Sequence, residues 1–397
     1  MVKLHKRKRH SSKNANHVQR GGKGPVDAGG NTSHQASVSD SSRQSSSDHR
    51  PAKAHIPLTR FIGPVVSVAG FVFVLGMVVT GRVDLNSINF GSGSGSAATG
   101  SVGSSFQPVS LPAAGGKSQE TMSIATFSIQ DFGETKSLDA GIMSVLASVI
   151  SRFDVVAIQG VVGKGASISA LMRQLQSTGG QFGSQVSSPV GRDGVMQSFA
   201  FVWDETRIQL KPNSAYVVQD PADRMHFQPM VASFETRFGA SGGRNPFRFT
   251  LINVRANPAD VIASSPMNEI NVLDDVFLSV RQYGYQETGE EDCILLGDLS
   301  VNTSGLGELG RIPNLISVAG NSPTDTVQSR TLDHILIDQT TTREYTGRYG
   351  LVDLQQQFGL TQEQALSVSD HLTLWAEFSV YEVPSFQGVA SGGRIIR

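Results

Sequence analysis

Between Ser123 and Gly160 the chain changes hydrophobic rhythm twice. It opens on the β-branched and aromatic run SIATFSI, breaks at Gly133, and then spaces Ile142, Val145, Leu146, Val149 and Ile150 as one face of a helix. A second apolar run follows at Asp154–Gln159, so the pattern predicts strand–helix–strand. A right-handed crossover of this kind brings the C-terminal ends of neighbouring strands to one edge of a sheet, where sites of such sheets lie. Ser128 and Gly160 fall at that edge. Further strands are predicted at Ser198–Trp203, Met230–Phe238, Phe247–Val254, Cys293–Leu296, His334–Ile337 and Leu374–Val380. Helices are predicted at Ile168–Gln176 and at Pro266–Gln282, the latter with Ser264 or Ser265 as N-cap.

The same pattern is missing upstream. Met1–Lys53 is Ser, His, Lys, Arg, Gly and Asn with almost no large apolar residue, a composition that cannot bury a core and predicts disorder. Phe61–Thr80 is then uninterrupted by charge and bracketed by Arg60 and Arg82. At 1.5 Å per residue it reaches about 30 Å, the thickness of a bilayer core. Its head is far longer than that of a cleaved signal peptide, so a single-pass anchor at 61–81 is expected. Residues 82–120 follow as a Gly/Ser-rich linker, 121–383 as the folded domain, and 384–397 as a flexible end.

Charge supports this division. The net charge of −1 hides 12 Lys/Arg against 3 Asp/Glu up to Arg60, and 21 against 31 beyond it. The basic head is expected to stay cytoplasmic, which puts the C-terminal domain on the outer, periplasmic or extracellular, side. The acidic domain would repel a polyanion unless it carried a local basic cleft. Cys293, the one cysteine, excludes an intrachain disulfide and is expected to be a buried, inert thiol.

Three words in the opening stretch, FSI at Phe127–Ile129, FGETK at Phe132–Lys136 and QGV at Gln159–Val161, resemble the start of pancreatic-type deoxyribonucleases of the endonuclease/exonuclease/phosphatase superfamily. The resemblance extends over about Ser123–Phe378. It implies an α/β fold of four layers, two packed mixed β-sheets flanked by helices. It also implies phosphodiester cleavage with divalent cations, an acid–base group and donors for the transition state.

The family's chemical letters are partly replaced. Its first metal-contacting Asn is Ser128 here, its metal-binding Glu is Gly160, and the Arg beyond it is Val162. The Glu that orients the catalytic His becomes Gln197, with Val195 for an aromatic, and the catalytic His itself becomes Arg255, which cannot switch protonation near neutral pH. A phosphate-contacting Arg is Phe227, read as drift in a loop. Gly-Asp-Phe-Asn becomes Gly297-Asp298-Leu299-Ser300, so Asp298 is kept and the Asn is Ser300. Asp333 and the pair Asp370–His371 are kept.

Three readings stay open at this point. In one, the domain is a membrane-anchored pseudo-nuclease with a binding or structural role and an unknown protein partner. In the second it is a working phosphodiesterase or phosphatase acting on nucleic acid or a smaller phosphoester. Asp298 and Asp370 would then hold Mg²⁺ or Ca²⁺ weakly, helped by Glu134 or Asn302. In the third, the basic tail binds nucleic acid, lipid or a partner, and the outer domain is a plug.

Overall fold

A computed structural model describes residues 117–163, 165–261 and 268–383. The basic tail, the apolar run Phe61–Thr80, most of the linker, Ser264, Ser265 and the C-terminal end lie outside the described residues. Among the described residues no helix is long and apolar enough to cross a membrane.

The opening unit forms as its rhythm predicts. β1 (Thr121–Phe132) leads through a short helix α1 (Glu134–Ser137) to α2 (Ala140–Ile150) and then β2 (Val155–Val161), which pairs parallel with β1. Asp139 starts α2 because its carboxylate accepts from the backbone N–H groups of Gly141 and Ile142. After α3 (Ala166–Ser177) come β3 (Phe182–Val186), β4 (Val190–Arg192), β5 (Val195–Asp204), β6 (Ile208–Leu210), β7 (Tyr216–Val217), β8 (Met230–Thr236) and β9 (Arg248–Arg255). Helix α4 (Ile270–Thr288) starts later than its apolar pattern suggested, where Asn268 Oδ1 accepts from Ile270 N–H. It also runs six residues further and stops at left-handed Gly289. The chain ends with β10 (Cys293–Asp298), β11 (Leu315–Ser317), β12 (Asp333–Asp338), β13 (Tyr345–Val352), α5 (Leu354–Phe358), α6 (Gln362–Val368) and β14 (Thr373–Ser379).

These strands make two mixed sheets, ordered β13-β14-β1-β2-β5-β3 and β11-β12-β10-β9-β8-β6, with β4 beside β5 and β7 beside β8. Period-two alternation decides what each sheet faces. On β1, Met122 and Ile124 point between the sheets, whereas Ala125, Phe127 and Ile129 pack beneath α2, α3 and α6. On β10, Ile294 and Leu296 point between the sheets and Cys293 and Leu295 pack under α4. The result is helix, sheet, sheet, helix: the expected four-layer sandwich. Cys293 is buried, and burial raises its thiol pKa, which keeps it protonated.

The face between the sheets is apolar along most of its length and turns polar toward one end. Continuing the alternation, β1 places Thr126 there, β2 Gln159, and β9 Asn253. Gln159 Nε2 donates to Asn253 Oδ1 at 2.7 Å and to Thr126 Oγ1 at 3.0 Å. Asn253 Nδ2 donates back to the carbonyls of Ile158 and Ala200. All three side chains are fully buried, so every bond counts against a desolvation cost. Asn253→Ala removes the hub and strands its partners; we expect a loss of about 3 kcal/mol in urea unfolding, with the cooperativity retained.

Candidate active site

One step further along the same alternation, the strands deliver the charged residues. Arg255 ends β9, Asp298 ends β10 and Asp333 begins β12, and the ladders pair Asp298 with Arg255 on one side and with Asp333 on the other. Sequence positions far apart therefore stand abreast on three adjacent strands. The first sheet brings Ser128 on β1, Gly160 on β2, Gln197 on β5 and the Ser369–Asp370–His371 segment leading into β14 to the same end. Ser369 Oγ fastens that segment by donating to the Ser128 carbonyl at 2.6 Å. Gly297 lets β10 close up: its φ is +143°, and a Cβ there would lie 1.9 Å from the Val254 carbonyl oxygen.

His371 is the centre of charge. Its Nδ1–H donates to Asp333 Oδ2 at 2.8 Å, and its Nε2 lies 3.7 Å from Asp298 Oδ2 and 3.9 Å from Asp370 Oδ1. Burial by itself would lower the pKa of this imidazole, but Asp333, Asp298 and Asp370 outweigh it and raise the value to about 9. His371 is accordingly an imidazolium at neutral pH. Asp298 is raised by burial, against the pull of His371 and Arg255. The neighbouring His334 does something different: Nε2–H donates to the Val301 carbonyl, Nδ1 accepts from Ser317 Oγ, and burial keeps the ring neutral.

Arg255 takes over ground that the resemblance assigns to other groups. Its Nη1 donates to Gln197 Oε1 at 2.9 Å, and its Nε stands 3.6 Å from Asp298 Oδ2. The residue at the orienting position thus holds an arginine in place. Gly160 completes the exchange. Its φ is +80°, and a Cβ would meet the Ile129 carbonyl oxygen at 2.3 Å and Arg255 Nη1 at 3.0 Å. Backbone and guanidinium together fill the space that a side chain at 160 would need.

Asp333 Oδ1 and Asp370 Oδ1 are buried without a hydrogen-bond partner, but the other groups that the resemblance implies for a divalent cation are committed elsewhere or absent. Asp298 Oδ1 accepts from the N–H and Oγ of Ser300, and its Oδ2 faces Arg255 and His371, both cationic. Ser128 Oγ is buried without a partner but offers only a hydroxyl. Asn302, a suggested substitute ligand, is exposed and accepts from Ser304 Oγ at 2.7 Å; Glu134 is exposed on the first turn of α1. Among the described residues, the one group of three or more acidic, His or Cys side chains with ligand atoms within 4.8 Å of one another lies elsewhere, at Glu290, Asp292 and Glu382. Phe227 lies in the loop between β7 and β8, and its side chain is buried in the core between the sheets.

Two participants escaped the sequence reading. Lys136, in the FGETK turn, donates to the carbonyls of Gln130 and Val368 and is close enough to Asp370 to feel its charge. Asn253 stands two residues before Arg255 on β9, and that two-residue step is the sequence signal that both face the same way.

The chain is similar to deoxyribonuclease I-like proteins, and a two-sheet sandwich with its polar residues gathered between the strand ends is consistent with the endonuclease/exonuclease/phosphatase fold. No family model matches the chain. Human deoxyribonuclease-1-like 1 is 27% identical over 277 residues, covering 66% of this chain and 86% of that protein. Human deoxyribonuclease-1-like 2 is 28% identical over 283 residues, covering 62% and 89%. Among solved structures, an endonuclease/exonuclease/phosphatase family protein from Leptotrichia buccalis aligns with a TM-score of 0.45 and 13% identity, over 66% of this chain and all of that one.

The charged state of His371 has a thermodynamic signature. Its folded pKa lies above the unfolded value of about 6.5, so its contribution is complete below that pH and is lost as pH rises through about 9. We expect the imidazole NMR signals of His371 to titrate near 9, and unfolding free energy to decline over the same window. In Asp333→Asn the titration should fall back toward the ordinary range.

Proposed function

We propose that this protein is a catalytically impaired member of the nuclease fold, with a binding or structural role in place of efficient phosphodiester hydrolysis. The observation that carries the reading is Gly160. Its positive φ and the 2.3 Å approach of the Ile129 carbonyl to a would-be Cβ leave no room for a carboxylate, and the Arg255 guanidinium stands beside that space. A fixed cation beside Asp298 satisfies charge that a metal would otherwise balance, and an arginine cannot shuttle a proton. Loss of a general acid–base group alone costs about 10²–10⁴ in rate. We further propose that Phe61–Thr80 anchors the domain to a membrane with the basic tail cytoplasmic, a reading that rests on the length and flanking charges of that run.

A second reading retains hydrolysis of a phosphoester. It is favoured by His371, an imidazolium braced by Asp333, which is the state a proton donor to a leaving oxygen requires.

Plasmid nicking and hydrolysis of bis(p-nitrophenyl) phosphate by the full chain in detergent, with Mg²⁺, Mn²⁺ or Ca²⁺, separate the two. We expect no turnover that distinguishes the wild type from His371→Ala. Metal-dependent nicking that vanishes in His371→Ala or Asp298→Ala would overturn the proposal. The closed backbone at 160 has its own measure: Gly160→Ala should cost on the order of 1–3 kcal/mol in denaturant unfolding, because both its φ and its Cβ are refused.

A further inference from the structure

The opposite end of the sandwich is polar as well. Asp292, immediately before β10, and Glu382, just beyond β14, continue the inter-sheet alternation of Ile294 and Leu296 and of Phe378 and Val380. Along β10 this end stands about 20 Å from Asp298, at some 3.3 Å per residue. Glu290 follows α4, and Glu344 immediately precedes β13. Glu290, Asp292 and Glu382 each offer an oxygen, and these lie within 4.8 Å of one another. Glu344 joins them electrostatically, acting on Asp292 and Glu382 and feeling Glu290.

What satisfies these carboxylates is incomplete. Asp292 N–H donates to Glu290 Oε1 at 2.9 Å, Arg248 N–H to Glu382 Oε1 at 2.9 Å, and Val383 N–H to Glu344 Oε1 at 2.6 Å. Arg248 Nε approaches Glu290 Oε2 at 3.4 Å and Glu382 Oε1 at 3.9 Å. Arg343 also acts on Glu344. Two oxygens, Asp292 Oδ1 and Glu344 Oε2, are buried with no partner, on side chains in residues only 6% and 2% exposed. A buried carboxylate oxygen without a partner is costly, and the Glu290 and Asp292 carboxyls also hydrogen-bond each other side chain to side chain.

We propose that Glu290, Asp292, Glu344 and Glu382 form a divalent-cation site, most suited to Ca²⁺, that clamps the two sheets at the end remote from Asp298. The ligands are carboxylate oxygens alone, with neither His nor Cys in the group, which selects a hard cation over a transition metal. They also come from both sheets: Glu344 and Glu382 flank β13 and β14 of one, and Glu290 and Asp292 lead into β10 of the other. Bound there, the ion would supply the missing partners of Asp292 Oδ1 and Glu344 Oε2 and would hold β10 to β13 and β14.

The test is thermal unfolding and calorimetric titration of the full chain with Ca²⁺, in the wild type, in Asp298→Asn and in the double variant Asp292→Asn/Glu344→Gln. At about 100-fold excess over Kd the wild type and Asp298→Asn should gain roughly 5–10 °C in midpoint. The double variant should match or exceed the wild-type midpoint without Ca²⁺, because repulsion is relieved, and should show no response to it. Glu382→Gln, at the more exposed rim, should keep the fold and weaken Ca²⁺ binding at least tenfold. Absence of heat and of any midpoint shift in the wild type overturns the proposal. So does a Ca²⁺ response that survives in both cluster variants but disappears in Asp298→Asn.

Discussion

The hydrogen bond from Gln159 to Asn253 fixes how the two sheets meet. An apolar interface between sheets tolerates sliding, because dispersion and burial are nearly indifferent to small shifts in register. A buried amide pair does not tolerate it. Gln159 is tied to Thr126 on the adjacent strand, and Asn253 to the carbonyls of Ile158 and Ala200, so β1, β2, β5 and β9 share one alignment. Arg255 lies two residues beyond Asn253, and Gly160 one beyond Gln159. The placement of the guanidinium beside Gly160 and Asp298 is therefore inherited from the amide bridge.

Given that alignment, electrostatics sets the character of the site. Asp298, Asp333 and Asp370 converge with His371 and Arg255, and three acids against two cations is close to neutral. A divalent ion added to this group would meet cations on both sides of Asp298 Oδ2. Charge complementarity, more than the count of surviving family residues, argues against metal chemistry there. The Asp333–His371 pair also has a structural reason of its own to persist: with both groups buried, removing either would leave the other charge uncompensated. The ladder between β10 and β12 keeps Asp333 in register with Asp298, so the pair also joins the end of the second sheet to the segment entering β14.

Most of the sandwich was legible because its strands obey a strict two-residue alternation, and α2 and α3 keep a clean helical face. Boundaries were less so. The start of α4 depends on Asn268, a local hydrogen bond that hydrophobic spacing does not report, and its end depends on the left-handed conformation of Gly289. In the site, the loss of the Glu and His positions could be read directly at Gly160 and Arg255. That the second fills the space of the first could not, because this depends on register between strands from different sheets. Phe227 shows the same limit: a substitution that looks like drift in a loop becomes a core residue once its neighbours are known. The remote acidic cluster left no sequence word at all. Glu290, Asp292, Glu344 and Glu382 are scattered, and only strand ends bring them together.

Gly160 and Arg255 are best understood as one change distributed over two strands. An arginine needs a longer corridor than an imidazole, and the corridor passes the point where a side chain at 160 would begin, 3.0 Å from Nη1. Restoring a carboxylate at 160 without shortening residue 255 would meet the guanidinium, and would still meet the Ile129 carbonyl because the backbone has taken a positive φ. Shortening Arg255 alone would strip Asp298 of a cation and Gln197 of its donor. Each residue stabilises the other's departure from the family pattern, and Gln197 makes a third member by accepting a donor that is always charged. Residues in one such network couple, so substitutions at positions 160, 197 and 255 should not add in their effect on stability.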